Sequence, residues 1–270
     1  MQRLPSALPL RRFVSTVWAT GATPPASLAP REHVLPTGAM HLVFRLSGPP
    51  LRLFRDSTDG VGSTLGHAIV GGARSAFYAR DVSVPTRSVG AQLRPGAATA
   101  LFGVPADALA GQHTPLDALW GREAALALER LHAAATPMGQ LAVLEALLLA
   151  KLSAAPAVHP AVAQALRQLE NAAQVRSIVE ASGYSHRRLI ALFREATGLA
   201  PKTYGPVVRF QRVLKRLEHQ PGLPWTELAL EAGYSDQAHL GREFTAIAGV
   251  TPQAWRCAWP TSPNHVPVPR

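Results

Sequence analysis

A chain of 270 residues with 47% hydrophobic composition has room for two domains with genuine cores. The net charge of +10 favours a polyanionic partner without identifying one, since the basic excess is shared evenly on either side of residue 160. The single cysteine, Cys257, excludes an internal disulfide and fits a reducing cytoplasm, and no apolar run approaches the roughly 18 residues of a membrane helix, so a soluble, cytoplasmic protein with no membrane partner is expected. Arg11 and Arg12 precede Phe13, Val14 and Trp18 in the manner of an export signal, but Ser15 and Thr16 interrupt a stretch that is already too short, and a strand fits better.

Residues 10 to about 105 carry the punctuation of a β domain. Phe13 to Trp18, Met40 to Leu46, Leu51 to Phe54, His67 to Val70, Ser75 to Tyr78 and Ser88 to Leu93 are short β-forming segments between Gly, Pro, Ser and Asp clusters. Strands this short predict a small barrel or sandwich. The texture then turns helical, with Ala106 to Leu109, Pro115 to Trp120, Arg122 to Leu131 and Pro137 to Leu152. In the last of these Leu141, Leu144, Leu148 and Leu152 form a stripe that Val143, Leu147, Leu149 and Ala150 widen beyond one packed face, which suggests a partner subunit and a homodimer. Residues 1–152 are therefore expected to be a β-rich domain ending in helices, and 153–160, with Pro156 and Pro160, a linker.

A repeat dominates the remainder. Gly183, Tyr184, Ser185, Leu189, Phe193, Gly198 and Pro201 recur as Gly233, Tyr234, Ser235, Leu240, Phe244, Gly249 and Pro252, with one added residue, assigned to Asp236, after the second triplet. Each copy, about 172–198 and 223–249, predicts a helix stopped by glycine, a polar cap at Ser185 or at Ser235 or Asp236, and a second helix with one apolar face. That is a helix-turn-helix. The second helices turn His186, Arg187, Arg188, Ile190, Ala191 and Arg194, and Asp236, Gln237, Ala238, His239, Gly241, Arg242 and Glu243, away from the apolar stripe. Arginine forks onto guanine, glutamine pairs with adenine, and small residues allow close approach in a major groove. Between the copies Tyr204, Val207, Phe210, Leu214 and Leu217 predict one amphipathic helix, whose Arg209, Arg212, Lys215 and Arg216 fall largely on another side and would serve phosphate or solvent equally well. Residues 259–270 are proline-rich and expected to form a flexible tail.

The segment Glu231-Ala232-Gly233-Tyr234-Ser235-Asp236-Gln237-Ala238-His239-Leu240, continued by Arg242, Phe244, Gly249, Thr251 and Pro252, resembles the signature of AraC/XylS-type transcription regulators over about 160–258. The resemblance implies a two-domain α+β protein whose all-α domain, 161–258, holds two helix-turn-helix units joined by a long helix. It implies sequence-specific binding to double-stranded DNA through successive major-groove segments. By position, base contacts fall to Arg187, Ile190, Ala191, Gln237, Ala238, Gly241 and Arg242. Ser185, His186, Arg188, Arg194 and His239 are left as phosphate contacts, and RNA polymerase is a further expected partner.

Leu35-Pro36 before Met40-His41-Leu42-Val43-Phe44, the run Gln92-Leu93-Arg94-Pro95-Gly96-Ala97, and Leu116 to Gly121 are similar to the cupin-like domain ahead of many such regulators. The similarity implies a sensor or dimerisation domain and a small-molecule effector, for which His41 and Arg94 are the candidates. A rival function is a cupin-type ligand-binding protein or enzyme whose C-terminal helices contact protein. His33, His41, His67 and His113 are scattered rather than paired as metal ligands, and no nucleophile elbow or phosphate loop occurs, so no metal, cofactor or catalytic residue is assigned.

Overall fold

The computed structural model describes residues 1–21, 30–54, 59–153, 158–171, 173–258, 260 and 262–268; half of the expected linker, 154–157, lies outside them. The strands are β1 (Gln2–Arg3), β2 (Val14–Thr20), β3 (Arg31–Val34), β4 (Met40–Arg45), β5 (Leu51–Phe54), β6 (Ser63–Gly66), β7 (Ala68–Gly71), β8 (Tyr78–Asp81), β9 (Ser88–Leu93), β10 (His113–Pro115) and β11 (His265–Val268). They form two antiparallel sheets, β1-β2-β9-β4-β7-β10 and β11-β3-β8-β5-β6, and neither closes into a barrel. Between the two shapes left open by the short strands, the outcome is the sandwich.

Alternation along β4 separates the environments of the first sheet. Met40, Leu42 and Phe44 are buried in a hydrophobic core shared with Val89, Ala91 and Leu93 of β9 and roofed by four helices, α1 (Ala97–Phe102), α2 (Asp117–Trp120), α3 (Glu123–Ala133) and α4 (Pro137–Lys151). His41, Val43 and Arg45 take the opposite face, toward the second sheet. There the sandwich is polar: the Tyr78 ring of the second sheet meets His113 of the first edge-on at 4.4 Å, and Arg74 lies over the Tyr78 ring at 4.5 Å.

Leu141, Leu144 and Leu148 of α4 are fully buried in the chain's own core, with Val143, Leu147 and Leu152 packed beside them. The stripe is covered by β2, β9, α3 and the segment Leu8–Arg12, while Leu149 and Ala150, two of the residues that widen it, stay exposed, as does Met138. One expectation is corrected here: the Pro-rich end is not a free tail. Residues His265–Val268 pair antiparallel with β3 as the outermost strand of the second sheet, burying Val266. Pro267 is compatible with this because an edge strand leaves one row of N–H groups without ladder partners.

The C-terminal region contains α5 (Pro160–Glu170), α6 (Val175–Ser182), α7 (His186–Thr197), α8 (Pro201–His219), α9 (Trp225–Ala232), α10 (Gln237–Ala248) and α11 (Pro252–Ala258). Its apolar residues fall into two cores. One joins Val162, Ala165 and Leu169 of α5 to Ile178, Leu189 and Phe193, with Tyr204 packed against it. The other joins Phe210, Val213, Leu214 and Leu217 to Leu228, Leu240, Phe244 and Trp255. The bridge α8 thus serves one unit with its first turns and the other with the rest. Its 19 residues span roughly 28 Å at 1.5 Å per residue, with Pro206 near the start removing one helical hydrogen bond.

Candidate nucleic-acid interface

Each candidate reading helix is set by local chemistry. In the first unit Gly183 ends α6 at φ +69°, a left-handed conformation that costs glycine little. The Ser185 hydroxyl then accepts the Arg188 amide at 3.3 Å and starts α7. In the second, Gly233 ends α9 at φ +85° and the Asp236 carboxylate accepts the His239 amide at 2.7 Å. The cap has moved from the serine to the next residue, which accounts physically for the added position in the second copy. Hydrogen bonds from the His239 amide and the Ser235 hydroxyl hold the Asp236 carboxyl below its ordinary range, so the cap stays ionised.

The apolar faces of α7 and α10 enter the two cores, and the outward faces carry the residues expected from sequence. Arg187, Ala191, Gln237, Ala238 and Arg242 are exposed; Ile190 and Gly241 are half-buried and still reach solvent. Of the phosphate candidates, Ser185, His186, Arg188 and Arg194 are exposed. His239 is more constrained. Its Nδ1 lies 3.1 Å from the Ser235 hydroxyl, its Nε2 3.9 Å from Glu243, and its ring stands edge-on to Tyr234.

Two neighbouring features differ from expectation. Glu243 does not join the outer face of α10: it accepts a forked pair from Arg209 of the bridge, at 3.1 and 2.8 Å, and Arg209 also covers the Tyr234 ring. Three of the four cations on the basic side of the bridge are engaged by other groups of the chain, Arg216 in a surface pair. Arg212 donates to the Leu169 carbonyl at 3.3 Å and Arg216 forks onto Glu231, leaving Lys215 as the exposed cation of that group without a side-chain partner among the described residues. Conversely, Thr245 and Thr251 join Ala238, Gly241 and Arg242 along an open groove between α10 and α11. Thr245 stands four residues after Gly241, so extending the helical period one more turn would have found it.

The β domain grips both units at equivalent positions of the repeat. Gly198, closing α7 at φ +85°, packs against Ala73, Ala106 and Ala110, and the neighbouring Ala196 carbonyl accepts the Gly96 amide at 2.8 Å. Gly249, closing α10 at φ +70°, packs so closely on Phe77 that a Cβ there would lie 2.3 Å from the ring. Around it the Phe77 amide donates to the Ile247 carbonyl at 2.8 Å, and His33 Nδ1, its ring stacked on Phe77, bonds the Ala248 carbonyl at 3.0 Å. Burial lowers the His33 pKa more than that bond raises it, so the ring is neutral and donates. Gln211 of the bridge completes the junction by donating to Pro36 O and Asn264 Oδ1.

The two effector candidates are not brought together. His41 faces the space between the sheets, 2.9 Å from the Thr37 hydroxyl, and burial with the nearby charges of His265 and Arg74 pushes its pKa down to about 4. Arg94 is exposed in the turn after β9.

A family described as a helix-turn-helix domain matches residues 162–258. Those residues are an AraC/XylS-type helix-turn-helix domain. The AraC/XylS-type region follows a stretch, residues 2–115, that matches a family described as a domain of unknown function (DUF6597). A variant of apo ToxT from Vibrio cholerae strain SCE256 has the same overall fold, with a TM-score of 0.51 at 8% identity over 94% of this chain and 99% of that one. ToxT from Vibrio cholerae O395 superposes with a TM-score of 0.48 at 9% identity, covering 89% of this chain and 95% of that chain. The C-terminal domain of AraT, a response regulator from Geobacillus stearothermophilus, is 20% identical over 38% of this chain and 88% of that one, with a TM-score of 0.35. No curated protein matches the chain.

Proposed function

We propose that the chain is a sequence-specific transcription regulator that reads two successive major-groove segments of one DNA face with α7 and α10. The observation that carries this reading is the pair of equivalently capped helices on one bridge, each exposing an arginine, Arg187 or Arg242, from its first two turns. Arg187, Arg242 and Gln237 take base edges; Ile190, Ala191, Ala238 and Gly241 provide apolar and shape readout; Ser185, His186, Arg188, Arg194 and His239 take phosphates. His239 does so with its ring already oriented by Ser235.

Modulation by the N-terminal domain is the second part of the proposal. Because that domain holds Gly198 and Gly249 together, any ligand that shifts one sheet relative to the other alters the separation of the two reading helices. A small-molecule effector and RNA polymerase are the partners this scheme calls for. The test is a salt titration of binding to a site selected from random DNA. Loss of Arg242 to alanine should cost roughly 1 to 3 kcal/mol and relax preference at one base pair. Loss of Arg188 should weaken all sites alike and reduce the salt slope by about 1. Unchanged affinity and preference in Arg187→Ala and Arg242→Ala together would remove the reading.

A further inference from the structure

At the end of the sandwich remote from the junction, Arg45 is 5% exposed, yet among the described residues it makes no ion pair within 4.0 Å. Its Nε donates to the Pro49 carbonyl at 3.0 Å, and among the described residues no acceptor takes its two terminal amino groups. Those groups border a cavity of about 140 Å³ walled by Arg45, Arg52, Thr64, Asp81, Val84 and the Pro49-Pro50 turn. Both amino groups reach solvent through that cavity, which leaves them open to an incoming acceptor while the rest of the side chain is buried. Burial, with the like charge of Arg80 adding to it and the Asp81 charge only partly offsetting both, lowers the Arg45 pKa from its ordinary value, the direction an incoming anion would reverse.

The wall charges decide the ligand's charge. Arg80 is neutralised by Glu32, its Nε 2.5 Å from the carboxylate, and lies outside the wall. Arg45 and Arg52 face one carboxylate, Asp81, so the wall carries a single uncompensated positive charge. A phosphate or sulfate dianion would exceed that charge and press its second negative charge on Asp81, whereas a single carboxylate matches it and leaves Asp81 to an adjacent hydroxyl or ammonium donor. The two Asp81 oxygens also differ. Oδ1 accepts the Ser83 amide and hydroxyl, whereas Oδ2 has only a 3.8 Å contact with Arg52 and is available to a ligand donor. The volume equals roughly four or five waters at ~30 Å³ each, the size of a three-carbon acid.

We propose that this cavity binds a small monocarboxylate with an adjacent hydrogen-bond donor, the chemistry shared by 2-hydroxy and 2-amino acids. Its carboxylate forks onto Arg45, its hydroxyl or ammonium group donates to Asp81 Oδ2, and Thr64 and Val84 line the mouth. Because β4, β5, β6 and β8 all contribute, the ligand ties the two sheets together.

The test is isothermal titration of the full chain, without DNA, at constant ionic strength, using lactate, alanine, acetate and lactamide in turn. Failure here is therefore distinguishable from failure of DNA reading. Saturable binding of lactate or alanine is expected, with acetate at least about tenfold weaker, the change expected for one hydrogen bond to a charged group, and no binding of lactamide. Lactate against alanine decides between the hydroxyl and the ammonium donor. Arg45→Gln should abolish binding; should that variant not fold, Thr64→Trp, at an exposed position of the mouth, should abolish it by filling the entrance. The proposal is overturned if neither acid binds saturably to the wild-type chain, if lactamide or acetate binds as well as they do, or if Thr64→Trp binds unchanged.

Discussion

Replacing Gly249 with alanine tests how the β domain holds the second reading unit. Gly183 and Gly249 both close helices in the left-handed region, at φ +69° and +70°, where a Cβ costs about 1–2 kcal/mol. At Gly183 that is the whole cost, because a Cβ would meet nothing within 4 Å. At Gly249 it would stand 2.3 Å from the Phe77 ring, so the ring or the junction must move, adding about 1–3 kcal/mol of overpacking. Gly249→Ala should therefore destabilise by about 2–5 kcal/mol and Gly183→Ala by about 1–2. Hydrogen exchange of the Phe77 amide, which bonds Ile247 across the junction, should accelerate in the first variant and not in the second. Adding Phe77→Ala to Gly249→Ala should remove most of the further cost that the clash adds to that change. Equal destabilisation of the two glycine variants, with Phe77 protection unchanged, would refute the argument.

Other consequences follow from the same contacts. Asp236→Ala removes the cap of α10 and should lower the midpoint of equilibrium unfolding, while Asp236→Asn should retain most of the wild-type midpoint. Truncation after Ala258 deletes β11, exposes the β3 edge and uncovers Leu35, so the melting temperature should fall and the amides of β3 should exchange faster. For Glu32, burial alone would raise the pKa, but the His265 hydrogen bond and the Arg80 charge outweigh it and hold the carboxyl at about 2, below its ordinary 4.5. Its contribution to stability is present above about 4.5 and lost as pH falls toward about 2, so the advantage of wild type over Glu32→Gln in urea titrations should shrink across that window.

The helical half was the more legible because its signals are local. A glycine stop, a polar cap and an apolar stripe of period 3.6 lie within some fifteen residues of one another, and both copies of the repeat carry all three. The period also places Arg187 and Arg242 outside the core. What those signals omit is the partner across space. Nothing near Glu243 in sequence points to Arg209, and nothing in the leucine stripe of α4 reveals that β2 and β9 cover it. The strand His265–Val268 was illegible for the same reason, because its partner Arg31–Val34 lies at the other end of the chain and Pro267 suggests a coil when read alone. In the β domain the hydrophobic strands β2, β4 and β9 were visible, while β3 and β6, with charged, small or polar residues, were not. Arg45 closes an expected strand, and only its burial marks it as a binding group.

The paired reading of DNA is tested most directly by spacing. Once a site has been selected from random sequence, the two segments protected by α7 and α10 should lie about 10 base pairs apart, centre to centre. Inserting five base pairs between them turns one segment half a helical turn away from the other. Binding measured by electrophoretic mobility shift should then fall to the level of a site containing one segment alone. Affinity unaffected by the insertion would contradict simultaneous engagement by two units on a stiff bridge.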